Sequence, residues 1–117
     1  MGEKENGNEE RRRYYRIEYP APMRPTLKIR KHEFQVLDIS EKGVRFLKDK
    51  EVRFGRWVSG KVTFYDGQTM VIEGKVVRNQ ATNIGLFLTI KAIPYSKILS
   101  EQRFLARLKP EETSSGE

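Results

Sequence analysis

Cysteine is absent from this sequence of 117 residues, and histidine occurs once, at His32. Disulfide bonds and thiolate metal sites are therefore excluded, and a zinc or iron centre is not expected because such centres normally recruit several imidazoles. Long apolar runs are also missing: none approaches the ~20 residues that span a bilayer, and no signal-peptide pattern opens the chain. We therefore expect a cytoplasmic protein with no metal, no cofactor and no membrane insertion.

The sequence also lacks the side-chain combinations that catalysis uses. Ser40 has no histidine base within sequence reach. The carboxylates are scattered, without the pairing or the apolar setting that would prepare one of them for acid–base work. We therefore expect a protein that is not an enzyme.

Positive charge is present in excess. Lysine and arginine total 23 against 16 aspartates and glutamates, which gives a formal net charge of +7 and a pI near 9.8. Such a balance favours polyanionic partners: a nucleic acid, a nucleotide or an acidic lipid surface. Both ends are acidic, and we expect a disordered lead over residues 1–10 and a disordered tail over residues 111–117, around one folded domain at residues 11–110.

Hydrophobic residues recur with a period of two through most of this domain. Examples are the alternations Phe34–Val36, Val44–Phe46 and Ile84–Ile90. Asp66-Gly67 separates two such runs and is a strong hairpin signal, and polar residues at 40–43 and 79–83 mark two further turns. About six short strands at regular spacing predict an all-β fold, either a small antiparallel barrel or a sandwich. We favour the six-stranded barrel, because closure would also remove exposed edges.

The last ordered segment has helical periodicity instead. From about Tyr95 to Lys109 the apolar side chains fall on one broad face, and Pro110 is expected to end the helix. The residues expected on the outward side are Lys97, Glu101, Arg103 and Arg107. A C-terminal helix packed over the barrel mouth is the simplest arrangement.

Near the N-terminus, arginine is concentrated beside aromatic rings. The four arginines within six positions are Arg11, Arg12, Arg13 and Arg16. A guanidinium group binds phosphate oxygens or a guanine edge through two parallel hydrogen bonds, and it also stacks on aromatic planes. An exposed charge run entering the first strand is the structural alternative.

A second short motif, D-I-S-E-K-G, lies at residues 38–43, between two predicted strands. In the local explanation, Asp38 and Ser40 cap a turn and Gly43 supplies a positive φ. In the functional explanation, the Asp38 carboxylate accepts the N–H donors of a guanine, Ser40 offers a hydroxyl, and Gly43 lets a ligand approach the backbone.

Together the two motifs resemble the signature of the PilZ domain, the bacterial receptor module for cyclic di-GMP. That signature is RxxxR followed, one strand later, by [D/N]xSxxG, and this sequence has R-R-Y-Y-R at Arg12–Arg16 and D-I-S-E-K-G at Asp38–Gly43. The resemblance covers about residues 11–108, and "NIGLFL" at Asn83–Leu88 looks like a late strand of the family. It implies a PilZ-like barrel with a C-terminal helix, acting as a non-catalytic receptor in second-messenger signalling.

The resemblance implies roles for the arginines of the first motif. Arg12 and Arg16 would bind phosphate and guanine from a flexible segment, residues 11–20, that closes over the ligand. A basic residue at the position of Arg11 is associated in the family with an intercalated pair of ligand molecules, so we expect two cyclic di-GMP molecules per domain. Arg13 would add a phosphate contact, although the family motif does not require it.

The resemblance also implies roles for residues on the barrel. Asp38, Ser40 and Gly43 match the second motif and would line the guanine-binding side. Arg78, near the end of a late strand, is a further candidate to face the ligand.

Three functions remain open from the sequence. In the favoured one, cyclic di-GMP orders the arginine segment against the barrel and presents a new surface to a downstream protein. The alternative is a small basic β-barrel that binds RNA or single-stranded DNA, with Tyr14 and Tyr15 as a stacking platform. A third is a PilZ-like scaffold used only for protein contacts. Because the arginines are clustered rather than spread over one sheet face, we expect no DNA or RNA partner.

A further aromatic and basic stretch surrounds Trp57, the only tryptophan of the sequence. With Arg53, Phe54 and Arg56 it could form an exposed cation–π patch for a partner. Packing in the core or at a sheet edge is the other explanation, and the sequence leaves both open.

Overall fold

The computed structural model describes residues 15–49 and 51–115. This part of the chain contains seven strands and one α-helix, with a short 3₁₀ helix at Ala21–Met23. The elements are β1 (Ile17–Glu18), β2 (Thr26–Ile29), β3 (His32–Ser40), β4 (Gly43–Leu47), β5 (Trp57–Thr63), β6 (Thr69–Asn79), β7 (Asn83–Leu88) and α1 (Tyr95–Ser115). The expected lead at residues 1–10 lies outside the described residues, as do Arg11, Arg12 and Arg13.

Strands β2 to β7 form a closed antiparallel barrel. Their order is β3-β2-β5-β6-β7-β4, and β4 pairs again with β3. The two-residue strand β1 adds to β3, where Ile17 lies opposite Ile39 and Glu18 lies opposite Asp38. Closure pairs the edges of the sheet with each other, which stabilises a small β domain. The predicted six-stranded barrel with a C-terminal helix is confirmed.

The core of the barrel is built from the inward residues of the alternating strands. Phe34 and Phe46 are buried with their ring centroids 5.3 Å apart, and Phe54 packs 5.5 Å from each of them. Burial of a large apolar side chain contributes about 1.5–3 kcal/mol. In the stretch around Trp57, one aromatic side chain is packed and the other is exposed. Phe54 packs against the core, whereas Trp57 remains 57% exposed.

The predicted turn at Asp66-Gly67 is confirmed as the β5–β6 hairpin. Gly67 has a φ of 92°, and the Gln68 amide donates a 2.9 Å hydrogen bond to the Asp66 carboxylate. The expected alternation from Ile84 to Ile90 is wrong at its end, because β7 stops at Leu88 and Ile90 is 74% exposed. The neighbouring strand β4 begins only at Gly43, the partner of Phe87, so the chain beyond Leu88 has no β4 residue to pair with.

Two charged residues of α1 face inward, so the prediction that they point to solvent is wrong. Glu101 is 2% exposed, and its Oε1 accepts a 2.6 Å hydrogen bond from the Tyr19 hydroxyl. The Lys97 ammonium lies 3.4 Å from Glu101 Oε2 and donates a 2.7 Å hydrogen bond to Gln68 on the β5–β6 turn. Helical periodicity identifies an apolar face, but it does not show which polar partners neighbouring elements supply.

The helix α1 also extends beyond its expected end. Its backbone is helical from Tyr95 to Ser115 and passes through Pro110. Proline inside a helix costs about 3 kcal/mol because it lacks an N–H group and crowds the preceding turn, which disfavours continuation without preventing it. Arg103 and Arg107 are exposed, as expected. Within the described residues, no helix combines the length and apolar character of a membrane span.

The Tyr19–Glu101 hydrogen bond predicts a loss of stability at high pH. Burial raises the pKa of the Tyr19 hydroxyl well above its ordinary value, and the hydrogen bond to Glu101 raises this pKa further. The resulting stabilisation is complete below the unfolded-state pKa of about 10 and is lost as the pH rises towards the folded-state pKa. We expect the free energy of unfolding, measured with urea, to fall above pH 10. The fall should be smaller in Tyr19→Phe and unchanged in Tyr95→Phe; equal slopes for both variants would contradict this account.

Gly74 permits the close approach of β6 and β7. A Cβ atom at this position would lie 2.7 Å from the carbonyl oxygen of Phe87. Gly74→Ala should therefore lower the free energy of unfolding by about 1–3 kcal/mol, because the strands must separate. Gly55→Ala is the matched control, since nothing lies within 4 Å of its added Cβ. Similar urea midpoints for the two variants would show that the approach is not constrained.

Candidate ligand-binding site

Four residues on four neighbouring strands form a row on the outer face of the barrel. The strand register places Asp38 on β3 opposite Arg45 on β4, Arg45 opposite Gly85 on β7, and Gly85 opposite Arg78 on β6. Residues directly opposite each other in antiparallel strands point to the same side of a sheet. Both chain neighbours of Arg45 belong to the core, so this side is the outer one. We call these residues the arginine row.

Two β-bulges turn the Asp38 and Arg78 side chains of the arginine row outward. The register shifts between Val36 and Asp38 in β3, and again between Val76 and Arg78 in β6. In a regular strand, Asp38 would point the same way as the buried Val36, and Arg78 would point the same way as the half-buried Val76. The extra residue of each bulge reverses the alternation, so both charged groups reach the outer face.

Asp38 is the buried charge of the site. It is 3% exposed, and its Oδ2 accepts a 2.6 Å hydrogen bond from the Arg45 Nε. The Arg16 Nε lies 3.7 Å from Oδ1, and the Arg16 side chain is 56% exposed. A buried carboxylate needs a cationic partner because desolvation of an unpaired charge is costly. Arg45 is therefore the main partner of Asp38, and Arg16 is a looser second one.

The arginine row opens onto a cavity of about 100 Å³ that brings the two sequence motifs together. Five residues predicted from the sequence line it: Arg16, Asp38, Ser40, Gly43 and Arg78. Drug-sized ligands occupy pockets of about 300–1,000 Å³. The cavity formed by the described residues is therefore smaller than the volume that such a ligand occupies.

The two glycines of the cavity leave room for its polar groups. A Cβ on Gly85 would lie 3.0 Å from the Cβ of Arg78, so the Arg78 stem lies across the space that a side chain would occupy. A Cβ on Gly43 would lie 3.2 Å from the hydroxyl oxygen of Ser40. Larger residues at either position would displace these groups. Glycine at both positions therefore leaves this space to the Arg78 and Ser40 side chains.

Arg45 and Gly85 are members of the site that the sequence motifs do not name. Arg45 was predictable, because a two-residue turn sets the register of its hairpin. With Ser40 opposite Gly43, Asp38 falls opposite Arg45. Gly85 lies inside the late strand that carries the family resemblance, but its place beside Arg78 depends on the bulge in β6.

The chemistry of the site suits an anionic ligand with hydrogen-bond donors. In the cavity, the guanidiniums of Arg16, Arg45 and Arg78 supply positive charge and Asp38 supplies acceptors. Outside the cavity, Glu18 lies opposite Asp38 on β1. A larger groove of about 720 Å³ lies between the N-terminal segment and α1, but apart from Arg16 and Glu18 it is lined mainly by apolar and uncharged side chains. Among residues 15–49 and 51–115, no group of three His, Asp or Glu side chains is placed to hold a metal ion.

The two arginines that contact Asp38 should differ in their effect on stability. Arg45→Gln leaves the buried carboxylate poorly paired and should lower the free energy of unfolding by about 1–3 kcal/mol. Arg16→Gln removes a longer, exposed contact and should cost less than about 1 kcal/mol. In the Asp38→Asn background the cost of Arg45→Gln should shrink. Urea titrations that give Arg16→Gln and Arg45→Gln the same effect would contradict the assignment of Arg45 as the main partner.

A family model and a solved structure are similar to this chain. The model of the PilZ domain family matches residues 10–103 of the chain. Among solved structures, the fold is similar to the crystal structure of an uncharacterized protein from Legionella, with 18% sequence identity, a TM-score of 0.56, and coverage of 86% of this chain and 99% of that chain. At this identity the likeness shows the fold alone. No curated protein sequence matches the chain.

The family match extends over both motifs and all seven strands. The match therefore includes the arginine row and the cavity beside it. The chain belongs to the PilZ domain family, whose members generally bind cyclic di-GMP.

Proposed function

We propose that this protein is a non-catalytic bacterial receptor for cyclic di-GMP that acts as an adaptor. Ligand binding orders the N-terminal arginine segment against the barrel and creates a surface for a downstream protein. PilZ domains are typically non-catalytic receptors, which supports the class of function. The observation that supports it most is the meeting of the two motifs, with Arg16 and Asp38 lining one cavity 3.7 Å apart.

The barrel residues would bind the guanine base. An ionised carboxylate has about four acceptor positions on its two oxygens. Arg45 uses one position on Asp38, and Arg16 lies near another, so acceptors remain for the N–H groups on the Watson–Crick edge of guanine. The Ser40 hydroxyl is an adaptable second partner, and Gly43 allows close approach to the backbone.

Arginines would bind the phosphates, and the charge balance favours two ligand molecules. The cavity is lined by three guanidiniums, Arg16, Arg45 and Arg78, and by one carboxylate, Asp38. With Glu18, which lies opposite Asp38 on β1, the surplus is one positive charge. A stacked pair of cyclic di-GMP molecules carries four phosphodiester charges. The three remaining arginines of the segment, Arg11, Arg12 and Arg13, raise the surplus to four. We therefore propose that all four arginines of the segment contact the ligand pair.

Closure of the segment must overcome an entropic cost. The later part of the segment is already held against the barrel by Arg16, β1 and Tyr19, so the cost falls on the residues before Arg16. Fixing each residue costs about 1–2 kcal/mol, and each charge-assisted hydrogen bond returns about 1.5–3 kcal/mol. Several such bonds are needed at once, so the arginines act as a group. We also propose a cytoplasmic location, which is usual for PilZ domains.

Titration calorimetry with cyclic di-GMP tests the proposal. We expect binding in the submicromolar to micromolar range with close to two ligands per chain. Arg12→Ala and Arg16→Ala should each weaken binding roughly 10- to 150-fold, the equivalent of one charge-assisted hydrogen bond of about 1.5–3 kcal/mol. Arg103→Ala is the matched control, since Arg103 is exposed on α1 outside the cavity, and it should bind like the parent protein.

Two results would overturn the proposal. One is the absence of binding heat with cyclic di-GMP for the intact chain. The other is equal, small losses for all three arginine variants, together with salt-sensitive binding to RNA or single-stranded DNA of any sequence. That pattern would identify the nucleic-acid-binding alternative, because nonspecific phosphate contacts depend on total charge and on salt.

A further inference from the structure

A second row of outward residues lies next to the arginine row. The strand register aligns five residues across β3, β4, β7, β6 and β5, which are Ser40, Gly43, Phe87, Lys75 and Trp57. We call the last three, Phe87, Lys75 and Trp57, the aromatic row. The aromatic row therefore continues directly from the end of the candidate ligand site.

Both aromatic side chains of this row are open to solvent. Trp57 is 57% exposed and Phe87 is 44% exposed. Adjacent strands are about 4.8 Å apart, so the two side chains emerge roughly 10 Å from each other with Lys75 between them. Val71 and Val77, also on β6, are 66% and 63% exposed. Single exposed apolar residues are common, but aligned aromatic residues on a rigid sheet are typical of interfaces.

The charges around the aromatic row are mainly positive. The Lys42 ammonium lies 5.7 Å from the centroid of the Phe87 ring, and Lys75 separates the two aromatic residues. Lys61 lies opposite Val71 on the same face. One carboxylate, Glu73, points the same way from β6. Three ammonium groups against one carboxylate favour an acidic partner.

We propose that the aromatic row is a docking surface for an acidic protein segment that carries an aromatic or large aliphatic side chain. Its anchor would pack on the aliphatic stem of Lys75 between Trp57 and Phe87. Its carboxylates would pair with the Lys75 ammonium and, at the rim, with Lys42 and Lys61. Interfaces between proteins have this anatomy, with a dry apolar centre, aromatic anchors and a charged rim. Val71 and Val77 favour a protein partner over a nucleic acid, because an aliphatic side chain offers no plane on which a base can stack.

The position of the aromatic row gives the partner a specific relation to the ligand site. Gly43 lines the ligand cavity and lies directly opposite Phe87. A ligand seated over Ser40 and Gly43 would share a border with the docked segment. The docking surface itself is inferred independently of the proposed function. Only the identification of its partner as the downstream protein rests on that function.

The docking surface is tested with a synthetic peptide, DEEWDELFEE, and ¹⁵N-labelled protein in the absence of cyclic di-GMP. Two-dimensional NMR should show saturable shifts of the Trp57 indole N–H and of the Lys75 and Phe87 amides. Trp57→Ala and Phe87→Ala should each weaken peptide binding about tenfold or more, as expected for interface anchors. Tyr65→Ala is the matched control, since Tyr65 is 58% exposed beyond the other end of β5, and it should stay within about twofold of the parent.

Three comparison probes define the outcomes that overturn the proposal. The peptide DEEGDESGEE, which lacks large apolar side chains, should bind at least about tenfold more weakly. Equal binding of the two peptides would show that the surface attracts any acidic peptide through charge alone. A short oligothymidylate that shifts the same residues at lower concentration would identify a nucleic-acid surface. If DEEWDELFEE shifts none of the NMR signals of the aromatic row, the row is not a docking surface for an acidic segment. Because cyclic di-GMP is absent from these titrations, a negative result for the docking surface does not affect the receptor proposal. That proposal is tested separately by calorimetry.

Discussion

The buried carboxylate of Asp38 is the constraint on which the rest of the site depends. A charge that is 3% exposed requires a partner, and the partner must come from an element whose position is fixed. Arg45 meets this requirement because a two-residue turn joins β3 to β4 and sets their register. The second partner, Arg16, immediately precedes β1 in the chain. Strand β1 pairs with the same end of β3 that carries Asp38. One ion-pair cluster thus ties the N-terminal segment to the barrel at the place where the two motifs meet.

A different polar cluster fixes β1 from its other side. Tyr19 follows β1 and hydrogen-bonds to the buried Glu101 of α1, and Lys97 joins Glu101 to the β5–β6 turn. Arg16 and Tyr19 flank the same two-residue strand. A displacement of β1 at the ligand cavity would therefore also move Tyr19, which contacts α1. The cavity and α1 therefore contact the same short element on its two sides, through Arg16 and Tyr19.

Much of the fold was predictable, since alternating apolar residues and the Asp66-Gly67 turn are local signals of strands and hairpins. The motifs located the cavity, and hairpin register would have added Arg45. In β3, the step from inward Val36 to inward Ile39 breaks the period of two and marks the bulge. In β6, the inward positions near the bulge are glycine and a half-buried valine, so the pattern does not mark it. The inward direction of Lys97 and Glu101 was not predictable, because their partners come from distant parts of the chain.

The bulges also decide which changes of strand length the site tolerates. Removal of Leu37 from β3 would make Asp38 the direct chain neighbour of the inward Val36, so regular alternation would keep Asp38 on the outer face, still opposite Arg45. The same holds for Arg78 on β6 if the extra residue of that bulge is removed. Within this family, a chain that is one residue shorter at either bulge therefore keeps the orientation of its ligand-site residues, and an alignment gap there is no sign that the ligand has been lost.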